Sequence, residues 1–184
     1  MTNTENNPSK LFAGKGCLIY ALVGVLLCVT AIVLFEISTR EFFHSIMVGK
    51  TGPVSSPDGW PKPLKELQLD RDHANLPITN VQIYCLCQGM DPEYVWRMDA
   101  APGLLAYLKL KWELTQVAEP TGVMLDGRST ISGETAPSWW NPTESKNTDF
   151  YVCARTLART KGDRFQVAFD KDRMIIFVRY WFNF

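Results

Sequence analysis

The sequence predicts an α+β protein. One N-terminal transmembrane helix is followed by a small antiparallel sheet of about five strands, with one main helix packed on it. Three observations carry that expectation. The run CLIYALVGVLLCVTAIVLFEI fills residues 17–37 and contains a single charge, Glu36. Two short alternating segments flank the turn GMDP at residues 89–92. Three further β-rich segments close the chain, which ends in YWFNF.

The apolar run comes first. At 1.5 Å per residue it reaches about 31 Å, the hydrocarbon thickness of a bilayer. A domain this small has too little surface to cover such a helix on all sides. Val29-Thr30-Ala31 loosely fits a signal-peptidase site, but the apolar run continues through Phe35, longer than a signal h-region. The expectation is an uncleaved single-pass anchor over 17–38, preceded by a short tail over 1–16. Lys10 and Lys15 precede it, and Arg40 and Lys50 follow. The free amino terminus tips that tie toward a cytoplasmic N-terminus and an extracytoplasmic C-terminal domain.

Residues 39–63 read as a juxtamembrane segment and linker. Phe42, Phe43, Ile46 and Met47 would line one face of a helix leaving the membrane. The stretch GKTGPVSSPDGWPKP then carries three glycines and four prolines in fifteen residues, which opposes helix and strand alike. Its Gly49-Lys50-Thr51 is not a phosphate loop. His44 stands where the first glycine is needed, and Pro53 blocks the following helix.

The folded domain is expected over 64–184. In Val81 to Gln88, Val81, Ile83, Cys85 and Cys87 share one face. Glu93 to Met98 would be the hairpin partner. Asp99 to Val117 reads as the main helix, with Pro102 tolerated in its first turn and Ala101, Leu104, Leu105, Leu108 and Trp112 facing the sheet. Phe150 to Leu157, Arg164 to Phe169 and Met174 to Phe184 read as strands, the last two joined by the turn Asp170 to Arg173.

Composition bounds the function. Lys+Arg and Asp+Glu both number 19, so the balanced charge excludes a generic nucleic-acid binder. With 46% hydrophobic residues the chain is not disordered. No G-x-S-x-G, H-E-x-x-H or C-x-x-C is present. Asp70, Asp72 and His73 lie in one short polar stretch, a poor metal cage. Neither a cofactor nor a metal is expected.

The connection 118–149 is long for a compact domain, and loops of that length are often functional. Trp139 and Trp140, with Asn141, would form an aromatic platform for a ligand or partner, or else pack over the open sheet face. Tyr94 and Arg97 would add to that surface. Among the cysteines, Cys85 and Cys87 are too far apart along one strand to bond each other. A disulfide from Cys153 to Cys85 or Cys87 requires neighbouring strands; otherwise all three are buried thiols acting as small hydrophobes.

The string Tyr94-Val-Trp-Arg-Met-Asp-Ala, a Leu-rich helix, Trp139-Trp140-Asn-Pro and a terminal hairpin containing Val167-Ala168-Phe169-Asp170 resemble a group of small bacterial membrane-anchored α+β proteins. The likeness covers roughly residues 75–184. It implies the same domain boundary and fold class. The group has no established activity, so it implies no functional residues.

The expected function is therefore a membrane-tethered, extracytoplasmic binding or protein-interaction module. Its partners would be the bilayer, through residues 17–38, and an envelope protein or glycan. The alternative is a membrane-anchored enzyme acting on an envelope substrate through carboxylates near the 118–149 loop.

Overall fold

The computed structural model describes residues 9–74, 76–118, 127–129, 131–159 and 161–183. The chain divides into two compact units, Met1–His44 and Ser45–Phe184. Helix α1, Ser9–Met47, makes up the first unit and runs on to the start of the second. Its stretch Leu22–Met47 is long and apolar enough to cross a membrane, and none of it is buried. The hydroxyls of Thr30 and Thr39 donate to the carbonyls of Leu26 and Phe35, each at 2.8 Å. Such bonds satisfy polar side chains where water is absent. The 39 residues of α1 span about 58 Å, roughly twice the hydrocarbon thickness.

The second unit is built on one seven-stranded antiparallel sheet. Its strands are β1 (Gly52–Pro53), β2 (Gln82–Cys87), β3 (Glu93–Asp99), β4 (Leu114–Val117), β5 (Thr148–Cys153), β6 (Gly162–Asp170) and β7 (Ile175–Asn183). Their order across the sheet is β1-β2-β3-β7-β6-β5-β4, so the last strand in sequence lies at the centre. Among the described residues, three α-helices accompany the sheet: α2 (Lys62–Ala74), α3 (Leu104–Lys111) and α4 (Ala154–Ala158).

The helix-side core gathers Leu64 and Leu67 of α2, Leu104 and Leu108 of α3, and the inward faces of the strands. Those four leucines are at most 1% exposed. Each contributes about 1.5–3 kcal/mol by leaving water. Trp112, just past α3, stacks on Phe165 with ring centroids 4.3 Å apart. The two helices are pinned to each other through Asp70, which accepts from the Tyr107 hydroxyl at 2.7 Å and from the Lys111 ammonium.

Several expectations change. The sheet has seven strands rather than five. The expected helix 99–117 is shorter. Asp99 ends β3, Gly103 caps α3 in the left-handed region, and Glu113, at φ 52°, turns the chain into β4. The expected strand 150–157 breaks at Cys153, after which Ala154–Ala158 turn as α4. The polar stretch before β2 is helix α2; the side chains of 71–74, and with them Asp72 and His73, lie outside the described residues.

Residues 49–63 are part of the domain rather than a free spacer. Gly52 and Pro53 pair with Cys85 and Tyr84, and the Val54 N–H donates to the Ile83 carbonyl at 3.0 Å. Proline suits this edge because the missing N–H faces no neighbour. Ser56 caps a single 3-10 turn over Pro57–Gly59. Close packing also fixes Gly89 in the β2–β3 turn. A Cβ there would lie 1.9 Å from the Met47 carbonyl oxygen, so no other residue fits without a backbone shift.

The disulfide is corrected too. Cys85 and Cys87 lie on β2 and Cys153 on β5, with β3, β7 and β6 between. Four strand spacings amount to about 19 Å, far beyond the reach of a disulfide. All three are free, buried thiols. Burial pushes the Cys85 thiol up to about 11, so it stays protonated at neutral pH.

Candidate functional site

Among the described residues, no long helix covers the second face of the sheet. Leu86, Val95, Ala168 and Phe177 form an apolar patch there, and Trp140 closes over it. Trp140 is 7% exposed and meets Phe177 edge to face at 5.7 Å. The described part of the long loop is tied down around it. The Tyr84 hydroxyl donates to Glu134 at 2.6 Å, and the Ser132 hydroxyl donates to the Leu86 carbonyl at 2.6 Å. The Glu134 carboxylate pushes the Tyr84 phenol up to about 12. Gly127, at φ 59°, lies under Trp140; a Cβ there would lie 2.5 Å from the indole.

The sequence-predicted site residues part company. Trp140 is core. Trp139, its neighbour in the chain, is half-buried and lies 5.7 Å from the Arg97 guanidinium, a cation–π pair at the edge of the same face. Tyr94 is on the opposite, helix-covered face, stacked on Tyr180 at 6.4 Å. Burial raises its phenol well above the ordinary value. Asn141 belongs to a polar cluster around Arg173. That guanidinium donates to the Asn141 carbonyl at 3.0 Å, to Asp170 at 2.5 Å and to Glu144.

Asp170 is the buried member of that cluster, at 0% exposure. Its Oδ1 also accepts from the backbone N–H groups of Asp172 and Arg173, both at 3.0 Å. Burial alone would raise its pKa, but the Arg173 N–H, the Arg173 guanidinium and the Asp172 N–H outweigh it and hold the carboxyl below its ordinary value. A depressed folded pKa stabilises above the unfolded value near 4 and loses that stabilisation as pH falls through the folded pKa. Asp170→Asn is therefore expected to cost about 2 kcal/mol at pH 7. The gap to wild type should close as the pH drops below about 4. Urea midpoints of the full-length protein in micelles at both pH values check this, and an unchanged gap would contradict it.

Carboxylates near the long loop are engaged separately. Glu134 holds Tyr84, Glu144 holds Arg173, and Asp149 holds Lys171 at 2.8 Å. Glu119 and Asp126 lie outside the described residues. Among the described residues, no three of His, Cys, Asp and Glu converge as metal ligands would.

A recess of about 400 Å³ opens elsewhere on the same face. Its lining comes from β3, β5, β6 and β7, from α4 with the residue that caps it, and from Ile131 of the loop. Arg179 and Glu93 form a buried ion pair there, 1% and 3% exposed, with Nε donating to Oε1 at 2.9 Å. Arg179 also donates to the Arg128 carbonyl at 2.8 Å. The other Glu93 oxygen is buried and has no hydrogen-bond partner. Arg159, Arg164, Gln166, Val152, Leu157 and Trp181 complete most of the wall. Sequence reasoning missed this recess. The one available signal was Arg179, a lone charge inside the apolar strand IIFVRYWFN.

No family model, curated protein or solved structure matches the chain.

Proposed function

We propose that the protein is a membrane-tethered interaction module. α1 anchors it in the bilayer, the α+β domain stands on the extracytoplasmic side, and a partner protein of the envelope docks where Trp139 and Arg97 meet. The carrying observation is that cation–π pair, half-buried on a pre-ordered surface. Tryptophan and arginine are the residue types that dominate binding hot spots. The loop bearing Trp139 is already held by the Tyr84, Glu134 and Ser132 bonds, so little ordering entropy is lost on docking.

The test is crosslinking and co-purification from native membranes, comparing the intact protein with an Arg97→Ala/Trp139→Ala variant shown to fold. A defined protein captured by the first and lost by the second is the expected result. Equal capture by both would remove this corner as the docking surface. Protease access to a C-terminal tag in spheroplasts checks the topology independently.

A further inference from the structure

We infer that the end of the sheet at which the chain enters the domain docks on anionic phospholipid headgroups through Lys50, Arg159 and Lys161. The inference rests on the reading of α1 as a membrane anchor and is independent of the Trp139 surface. Continuity with the bilayer singles out this end. The apolar stretch of α1 ends at Met47. The Ile46 and Val48 carbonyls accept from the backbone N–H groups of Met90 and Gln88 in the β2–β3 turn, at 3.2 and 2.8 Å. Antiparallel register carries the same end across the sheet. Glu93, which opens β3, pairs with Trp181 of β7, and Trp181 pairs with Arg164 near the start of β6. The connection from β5 to β6 therefore emerges here, about three strand spacings or 14 Å from β2.

Charge and exposure set the occupant. That connection, residues 154–161 with the sequence ARTLARTK, contains three cations and no carboxylate. Arg155 shares a small recess with Glu66, Glu113 and Asp163, so its charge is offset. Lys50, Arg159 and Lys161 are exposed, and among the described residues no ion pair engages them. The other carboxylates at this end are engaged. Glu93 bonds Arg179, Asp163 accepts from the Tyr180 hydroxyl at 2.8 Å, and Asp91 also has a partner. Met90, 52% exposed, and Leu157, 55% exposed, lie at the same end. Cations beside exposed apolar side chains fit the interface of an anionic leaflet, where each Lys or Arg favours docking about fivefold. A free phosphate ion would leave Met90 and Leu157 in water.

The test places the full-length protein in nanodiscs of phosphatidylcholine, with or without about a third of phosphatidylglycerol. Ala158→Cys, in a Cys17→Ser/Cys28→Ser background, carries a fluorophore; Cys85, Cys87 and Cys153 are buried and stay unlabelled. A nitroxide on a trace of the lipid headgroups is the quencher. Met174→Cys, in the β6–β7 turn at the opposite end of the sheet, is the control. Strong quenching at 158 and little at 174 is expected on anionic discs. It should fall toward the control value on neutral discs, in about 0.5 M NaCl, and in Lys50→Gln/Arg159→Gln/Lys161→Gln, where docking weakens about fivefold per cation. Equal quenching at 158 on neutral and anionic discs would overturn the inference, as would full quenching in the triple variant. Quenching confined to discs that hold two copies would give this end to a second copy and overturn it too. Co-elution with the discs in high salt reads the anchor by itself. A protein that stays in the disc without lipid-dependent quenching therefore sinks this inference and spares the anchor. Should the triple variant fail to fold, the lipid and salt comparisons decide alone.

Discussion

Replacing Arg179 with methionine is expected to destabilise the domain by about 3–5 kcal/mol, because it strands a carboxylate. Glu93 is 3% exposed, one of its oxygens already lacks a partner, and the other relies on Arg179. The Arg128 carbonyl loses its donor at the same time. The Glu93→Leu/Arg179→Met double variant should recover most of the loss, since replacing both members of a buried pair by apolar residues removes the uncompensated charge. Tryptophan fluorescence during guanidinium unfolding of the full-length protein compares both variants with the wild type. A single-variant cost under about 1 kcal/mol would mean that water reaches Glu93 and that the pair is not buried.

Trp140→Ala is expected to cost about 3–5 kcal/mol, while Trp139→Ala costs about 1 kcal/mol or less. The two indoles are adjacent in sequence but differ in surroundings. Trp140 fills the space between Phe177 and Gly127, whereas Trp139 lies half-open beneath Arg97. Trp140→Phe should be tolerated far better than Trp140→Ala. The indole N–H of Trp140 is buried without a hydrogen-bond partner, so losing it removes a liability as well as some contact area. Thermal midpoints of the three variants give the comparison. Equal losses at 139 and 140 would place both side chains in the core and leave the proposed docking corner without its aromatic centre.

The parts of this fold that were legible in the sequence are those with a long enough period. β2, β3, β6 and β7 each run six to nine residues, and their alternation shows. β1 has two residues and β4 four, too few for a period of two to declare itself. β4 was also masked by its composition. Lys111, Glu113 and Leu114 continue the helical preference of α3 up to and into the strand, and the switch is made by the left-handed Glu113, whose sequence carries no mark of it. α2 hid behind the proline-rich approach to it, although Leu64 and Leu67 are spaced as one helical face.

The site divides in the same way. The tryptophan doublet stood out, but which indole turns inward depends on Phe177 and Gly127, more than thirty and twelve residues away respectively. Arg97 and Trp139 meet only because the loop folds back over β3. The recess draws on four strands, α4 with its cap and one loop residue, a convergence no local pattern encodes.

The central position of β7 governs how this protein is made. Until residues 175–183 have been synthesised, β1-β2-β3 and β6-β5-β4 are two separate half-sheets, each with a bare edge where β7 will sit. Bare strand edges recruit other chains. A ribosome that stalls before Ile175 thus releases a product with two adhesive borders, while one that finishes supplies the keystone to both halves at once. Joining β3 to β7 closes a loop of about eighty residues, which makes late assembly slow. The two halves of the sheet thus share one late strand as their common seam.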